Sequence, residues 1–194
     1  MINRIIFSME QTDQNIELKK ISVARNALNY GVILGIALVV LSLIFYILDF
    51  NNTNIVFWIQ FVILLAGLVI STMNYRKNIG GGFITYGKSL GSGVLTGLFA
   101  AIILGIYIYI FFKFIDTGAI QEIISKAEDK IIDQNPEISD AQLETIMTMQ
   151  RKFMTPLWMG IMSLIYYTFY SFIASLIISI FTRKTDKSFE TNFR

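Results

Sequence analysis

Four stretches of the 194-residue chain, Asn29 to Leu48, Ile55 to Asn74, Ser89 to Phe112 and Leu157 to Thr182, contain no Asp, Glu, Lys, Arg or His and are almost wholly apolar. A bilayer core of about 30 Å takes roughly 20 helical residues to cross, and a buried helix of a soluble protein rarely runs that far without a charge. The expected fold is therefore all-α: an integral membrane four-helix bundle, a single membrane domain over residues 1–194 with an extracytoplasmic helical insert at 113–155. The same stretches lack the ionisable groups on which most intramembrane chemistry depends.

Every charge lies between or outside these spans, and its sign alternates. The segments before the first span, between the second and third, and after the fourth hold eleven basic and five acidic residues. They include Arg4, Lys19, Lys20 and Arg25, then Arg76, Lys77 and Lys88, then Arg183, Lys184, Lys187 and Arg194. The other two connections hold five basic and nine acidic residues. The positive-inside rule then puts both termini in the cytoplasm. The first 28 residues are polar and mixed in charge, unlike a cleaved signal peptide; the polar Gln11 to Asn15 stretch breaks the apolar pattern, and a helix is expected from about Ile16 into the first span. Tyr46, Trp58, Tyr107, Tyr109 and Trp158 fall at the outer span ends and Tyr30, Tyr75 and Tyr86 at the inner ends, as headgroup-level aromatic belts would.

Lipid tails are as apolar as leucine, so spans associate through close contact at small residues. The third span carries Ser89, Gly93, Gly97, Ala101 and Gly105 every fourth residue, with Gly87 and Gly91 as an offset pair; the fourth carries Ser171, Ser175 and Ser179. Gly93, Gly97, Ala101, Gly105, Ser171 and Ser175 are the candidate helix-packing residues. Tyr166, Tyr167 and Tyr170 lie near the middle of the fourth span, where an unpartnered hydroxyl is costly, so they need acceptors such as Gln60, Thr72, Thr96 or the serines.

The segment Lys113 to Thr155 reads as a helical hairpin. Ile120, Ile123, Ile124, Ala127 and Ile131 share a helical face, and Asn135-Pro136 ends it. A second helix starts at Ser139 as N-cap with Gln142 as capping-box partner, and Leu143, Ile146, Met147, Gln150 and Phe153 continue its face. Pro156 either opens the fourth span behind a Thr155 cap or kinks a continuous helix. The faces cover each other, lie on the outer leaflet, or bind a protein partner through Ile123, Ile124, Ile146 and Met147.

Motifs that carry chemistry are few. The chain has no Cys or His, which removes zinc sites, haem ligation by those residues, thiol nucleophiles and imidazole acid/base work. Gly82 to Ser89, GFITYGKS, matches the P-loop pattern, in which glycine amides and a lysine surround phosphate and a hydroxyl holds magnesium. Here it links two membrane spans, with no strand before it and no second strand ending in a metal-binding Asp, so nucleotide binding is not expected. Asp49 and Asp116 at outer span ends read as solvated end charges, and Glu128, Asp129, Asp133, Glu137 and Asp140 as a solvated acidic face without EF-hand spacing. No cofactor, metal or nucleic acid is expected; the lipid bilayer and a protein partner or second copy are.

The stretch Tyr75 to Asp116 carries a further signal. Tyr75-Arg76-Lys77, the glycine turn Gly80-Gly81-Gly82 with Phe83-Ile84-Thr85-Tyr86-Gly87, the glycine-studded third span and its end Tyr109-Ile110-Phe111-Phe112-Lys113-Phe114-Ile115-Asp116 resemble the bacterial membrane proteins of domain of unknown function 4199 (DUF4199). The resemblance extends over about residues 20 to 183. It implies a four-span fold in the bacterial inner membrane and no known catalytic role, and in that family the residue after the glycine matched by Gly87 is often acidic, which makes Lys88 and its P-loop match accidental. The residues then favour a non-enzymatic structural or accessory subunit; the alternative is a small oligomeric transporter or channel for a neutral solute or lipid.

Overall fold

The computed structural model describes residues 2–50 and 52–184; Lys187, Arg194 and the side chains of residues 2–22 lie outside the described part. Six α-helices follow in order: α1 (Ile2–Ile47), α2 (Thr53–Asn74), α3 (Tyr86–Ile110), α4 (Ala119–Gln134), α5 (Asp140–Phe153) and α6 (Pro156–Thr182). π-Helical turns extend α2 over Tyr75–Ile79 and α3 over Phe111–Ile115. Four stretches are long and apolar enough to cross a membrane: Val23–Ile47, Asn54–Ile79, Tyr86–Ile115 and Pro156–Thr182. Each expected span lies on one of them, and the protein is an all-helical, multi-pass membrane protein.

α1 runs unbroken through Gln11 to Asn15, ahead of the expected start near Ile16. Gln, Asp and Asn lower helix propensity only mildly, and neither Gly nor Pro occurs there to remove a bond or a conformational restraint. The other end of α1 is closed firmly. Asp49 adopts a left-handed conformation (φ 48°), its N–H reaches the Tyr46 carbonyl (3.1 Å), and the Phe50 N–H reaches that of Phe45 (3.0 Å). That pair of bonds is a Schellman cap with Asp in the place usually taken by Gly. At α5 the capping box is complete, with Ser139 and Gln142 bonding each other's backbone N–H. Thr155 Oγ1 accepts from Trp158 N (3.4 Å) and α6 begins at Pro156, so the proline opens a helix and kinks none.

The chain forms two compact units, one of residues 1–100 with 167–194 and one of residues 101–166. In the first, α1, α2, the first half of α3 and the second half of α6 meet through a thin core. Leu34, Leu38, Leu64 and Leu68 are buried, whereas Ile33, Val62, Phe169 and Phe181 point outward. A sparse interior beneath an apolar exterior suits hydrocarbon as solvent. In the second, α4 and α5 lie against each other and each buries one residue of its apolar face, Ile124 and Met147.

Candidate functional site

Three hydrogen-bonded clusters of polar side chains lie inside the first unit, while, among the described residues, the buried hydroxyls of Ser92, Ser171, Ser175 and Ser179 make no hydrogen bond and serve as small packing surfaces. Tyr167 of α6 donates its phenolic proton to Gln60 Oε1 of α2 (2.7 Å), Gln60 Nε2 donates to Ser42 Oγ of α1 (2.9 Å), and Ser42 donates to the Leu38 carbonyl (3.0 Å). Three spans are thus tied in one chain. Sequence spacing offered three tyrosines and several acceptors, and the structure pairs Tyr167 with Gln60. The neighbouring Tyr170 ring instead packs edge-on against Phe57 (6.0 Å) and Phe61 (6.1 Å).

The second cluster joins α1, α2 and α3. Asn26 Nδ2 donates to the Ser71 carbonyl (3.2 Å), the Ser71 and Thr96 hydroxyls share a hydrogen bond (2.7 Å), and Thr96 Oγ1 also reaches back to the Ser92 carbonyl (2.8 Å). Asn74 donates to Asn26 Oδ1 (2.8 Å), and Asn78 donates in turn to Asn74 (2.5 Å). Asn26, buried within the membrane stretch of α1, lies before the expected start of the first span at Asn29 and drew no attention in the sequence. An asparagine one turn outside an apolar run was the available signal.

The third cluster pins the loop between α2 and α3 to the chain leaving α6. Ile84 and Lys184 form an antiparallel bridge through two 2.9 Å bonds, the Ser89 and Thr182 hydroxyls meet at 2.7 Å, and Arg76 Nη1 donates to the Thr182 carbonyl (3.2 Å). Gly81 and Gly82 take the left-handed conformations (φ 61° and 89°) that let the loop turn back. This is the GFITYGKS segment. The N–H groups of Gly82, Phe83 and Ile84 bond to the carbonyls of Arg76, Gly80 and Lys184, and the Ser89 hydroxyl is buried against Thr182. These groups hold the loop itself, where a phosphate cradle would keep them turned outward. Tyr75, expected in a headgroup belt, is instead buried at 2% exposure, because it continues the buried α2 face of Leu64, Leu68 and Ser71 by one helical turn.

Of the candidate packing residues, Gly93 lies against Ser175 and Gly97 against Ser171, each so close that a Cβ on the glycine would overlap the serine side chain. Gly31 of α1 meets Phe99 and the Thr96 carbonyl, and Gly67 of α2 meets Leu34. Gly87 and Gly91, the offset pair, face open space. Ala101 is fully buried in the second unit, where a Cβ on Gly105 would stand 3.0 Å from the Gly160 carbonyl.

Also in the second unit, Ile123 and Ile146 are exposed, while Ile124 and Met147 are buried. The connection from α4 to α5 frames an open concavity of about 1130 Å³, bordered by Asn135, Pro136, Ile138, Gln142 and Ile146. Asp116 Oδ1 accepts from Ala119 N (3.0 Å), the first N–H of α4, two residues ahead of the Gly118 N-cap. Among the described residues no group of three or more acidic side chains is arranged to hold a metal ion.

No curated protein and no solved structure matches the chain. A family model described as a protein of unknown function, DUF4199, matches residues 29–184, from the first span through the Ile84–Lys184 bridge. That match covers most of the sequence and all four membrane helices, and the protein belongs to the DUF4199 family.

Proposed function

We propose that the protein is a non-enzymatic accessory or structural subunit of the bacterial inner membrane. Hydrogen bonds tie its spans to one another within the first unit, its termini lie in the cytoplasm, and the α4–α5 pair is presented on the opposite side to a protein partner. The observation that carries this reading is the use made of the interior polar groups. Gln60 and Thr96, which with the mid-span tyrosines would line a solute path, bond to Tyr167, Ser42 and Ser71 on neighbouring helices. A transport route needs such groups turned toward a passage. The α4–α5 pair supports the second half of the reading, since Ile123, Ile146, Met149 and Phe153 remain exposed on helices whose other faces are charged. Apolar side chains clustered above a membrane are a common mark of protein contact.

The test is photocrosslinking in native membranes with a photoreactive residue in place of Ile123 or Ile146, and in place of Ile33 as a lipid-facing control. Capture of the same protein from both α4–α5 positions and not from position 33 is the expected result. Adducts with lipid alone at all three positions would refute the partner reading.

A further inference from the structure

In the second unit, α3 and α6 come together at Gly105 and Gly160, where a Cβ on Gly160 would stand 2.8 Å from the Gly105 carbonyl. This contact forms the floor of a groove of about 290 Å³, walled by Ile106 and Tyr109 of α3 and by Leu157 and Ile161 of α6. The walls are exposed, with Ile106 at 56% and Ile161 at 40%. Both helices here lie within membrane-crossing stretches. A cation attaches to one wall: Lys113, one turn beyond Tyr109, donates from Nζ to the Tyr109 hydroxyl (2.6 Å) and sits 5.0 Å from the centre of that ring and 5.3 Å from that of Phe114.

We infer that this groove binds one phospholipid, with an acyl chain over Gly105 and Gly160 and the headgroup phosphate on Lys113. The spacing suits a single leaflet. From Ile102 to Lys113 is about 16 Å along a helix rising 1.5 Å per residue, close to half of a hydrocarbon core of about 30 Å. A lysine near a span end extends to the headgroup level, and Tyr109 fixes its direction while taking one of three ammonium donors, the others being suited to phosphate oxygens. A second membrane helix fits less well. Helices gain contact in lipid by close approach of small residues, and Gly105 and Gly160 already face each other, leaving branched and aromatic walls between which a flexible chain can lie. The inference stands apart from the protein-partner reading, since it uses none of the exposed α4–α5 residues.

The test is native mass spectrometry of the full chain in mild detergent titrated with dioleoylphosphatidylglycerol. One lipid per chain should survive activation that strips the rest. Ile161→Trp and Ile106→Trp, which fill the groove, and Lys113→Gln, which removes the cation, should each lower that retained fraction by about fivefold or more, the effect of roughly 1 kcal/mol. Lys126→Gln, at an exposed lysine paired with Glu122 on α4, should leave it unchanged. Absence of a retained lipid in the unsubstituted chain, or equal retention in the folded groove and Lys113 variants, would overturn the inference.

Discussion

Tyr167 and Gln60, 107 residues apart in sequence, meet through a 2.7 Å hydrogen bond that ties the fourth span to the second. Because Gln60 also donates to Ser42, the loss of one member leaves the next without its partner. Tyr167→Phe and Gln60→Leu should each destabilise the bundle by about 1 kcal/mol, the scale of interhelical hydrogen bonds in membranes. A double-mutant cycle on reversible unfolding in detergent should give a coupling of about 0.5–1.5 kcal/mol. Strict additivity would mean that the bond does no structural work.

Gly97 and Ser171 make a steric prediction of the opposite kind. A Cβ at Gly97 overlaps the Ser171 side chain, so Gly97→Ala should cost about 1–3 kcal/mol by overpacking. Ser171→Gly should restore much of that loss by emptying the contested space. Gly91→Ala, which meets nothing within 4 Å in the interior of α3, should instead stabilise by up to about 1 kcal/mol through helix propensity. Thermal unfolding of the four chains checks all three statements.

Gly82 has room for a side chain and the wrong backbone for one. Nothing lies within 4 Å of a Cβ there, yet its φ of 89° disfavours L residues, so Gly82→Ala should cost about 1–2 kcal/mol locally. The strain falls on the loop held by the Ile84–Lys184 bridge. Faster trypsin cleavage after Arg76 or Lys77, relative to the unsubstituted chain, is the expected readout.

Ser139 anchors the start of α5 through the capping box. Ser139→Ala should destabilise that helix by about 1 kcal/mol. Hydrogen exchange should quicken at the amides of Gln142 to Thr145 while those of α2 and α6 keep their protection.

The spans, the α4 and α5 helices and the capping box were legible because each rests on short-range rules: charge-free length, periodicity and a local cap. Partner choice was not. Tyr166, Tyr167 and Tyr170 look alike in sequence, but successive helical residues differ by about 100° in direction, and only the packing angles of α2 and α6 decide which hydroxyl reaches Gln60. The same rotation separates exposed Ile123 from buried Ile124, and exposed Ile146 from buried Met147, although each pair reads as one apolar face. Tyr75 was misplaced because a tyrosine at a span end suits a headgroup belt equally well, although its spacing from Leu64, Leu68 and Ser71 puts it on their buried face. Asn26 and its partners escaped because a polar residue at a span boundary looks the same whether it faces water or a neighbouring helix.

The native chain has no cysteine, so single substitutions read membrane side and sealing together. Topology and sealing are measured most directly by labelling Lys126→Cys, Lys88→Cys, Ser42→Cys and Ser71→Cys with a membrane-impermeant maleimide, in intact cells and in inverted vesicles. Position 126 should react only in cells, position 88 only in vesicles, and positions 42 and 71, beside Gln60 and Thr96, in neither. Labelling at 42 or 71 would reveal a water-filled path beside Gln60 or Thr96 and contradict the reading of these groups as structural, and exchange of the 88 and 126 patterns would place α4 and α5 in the cytoplasm.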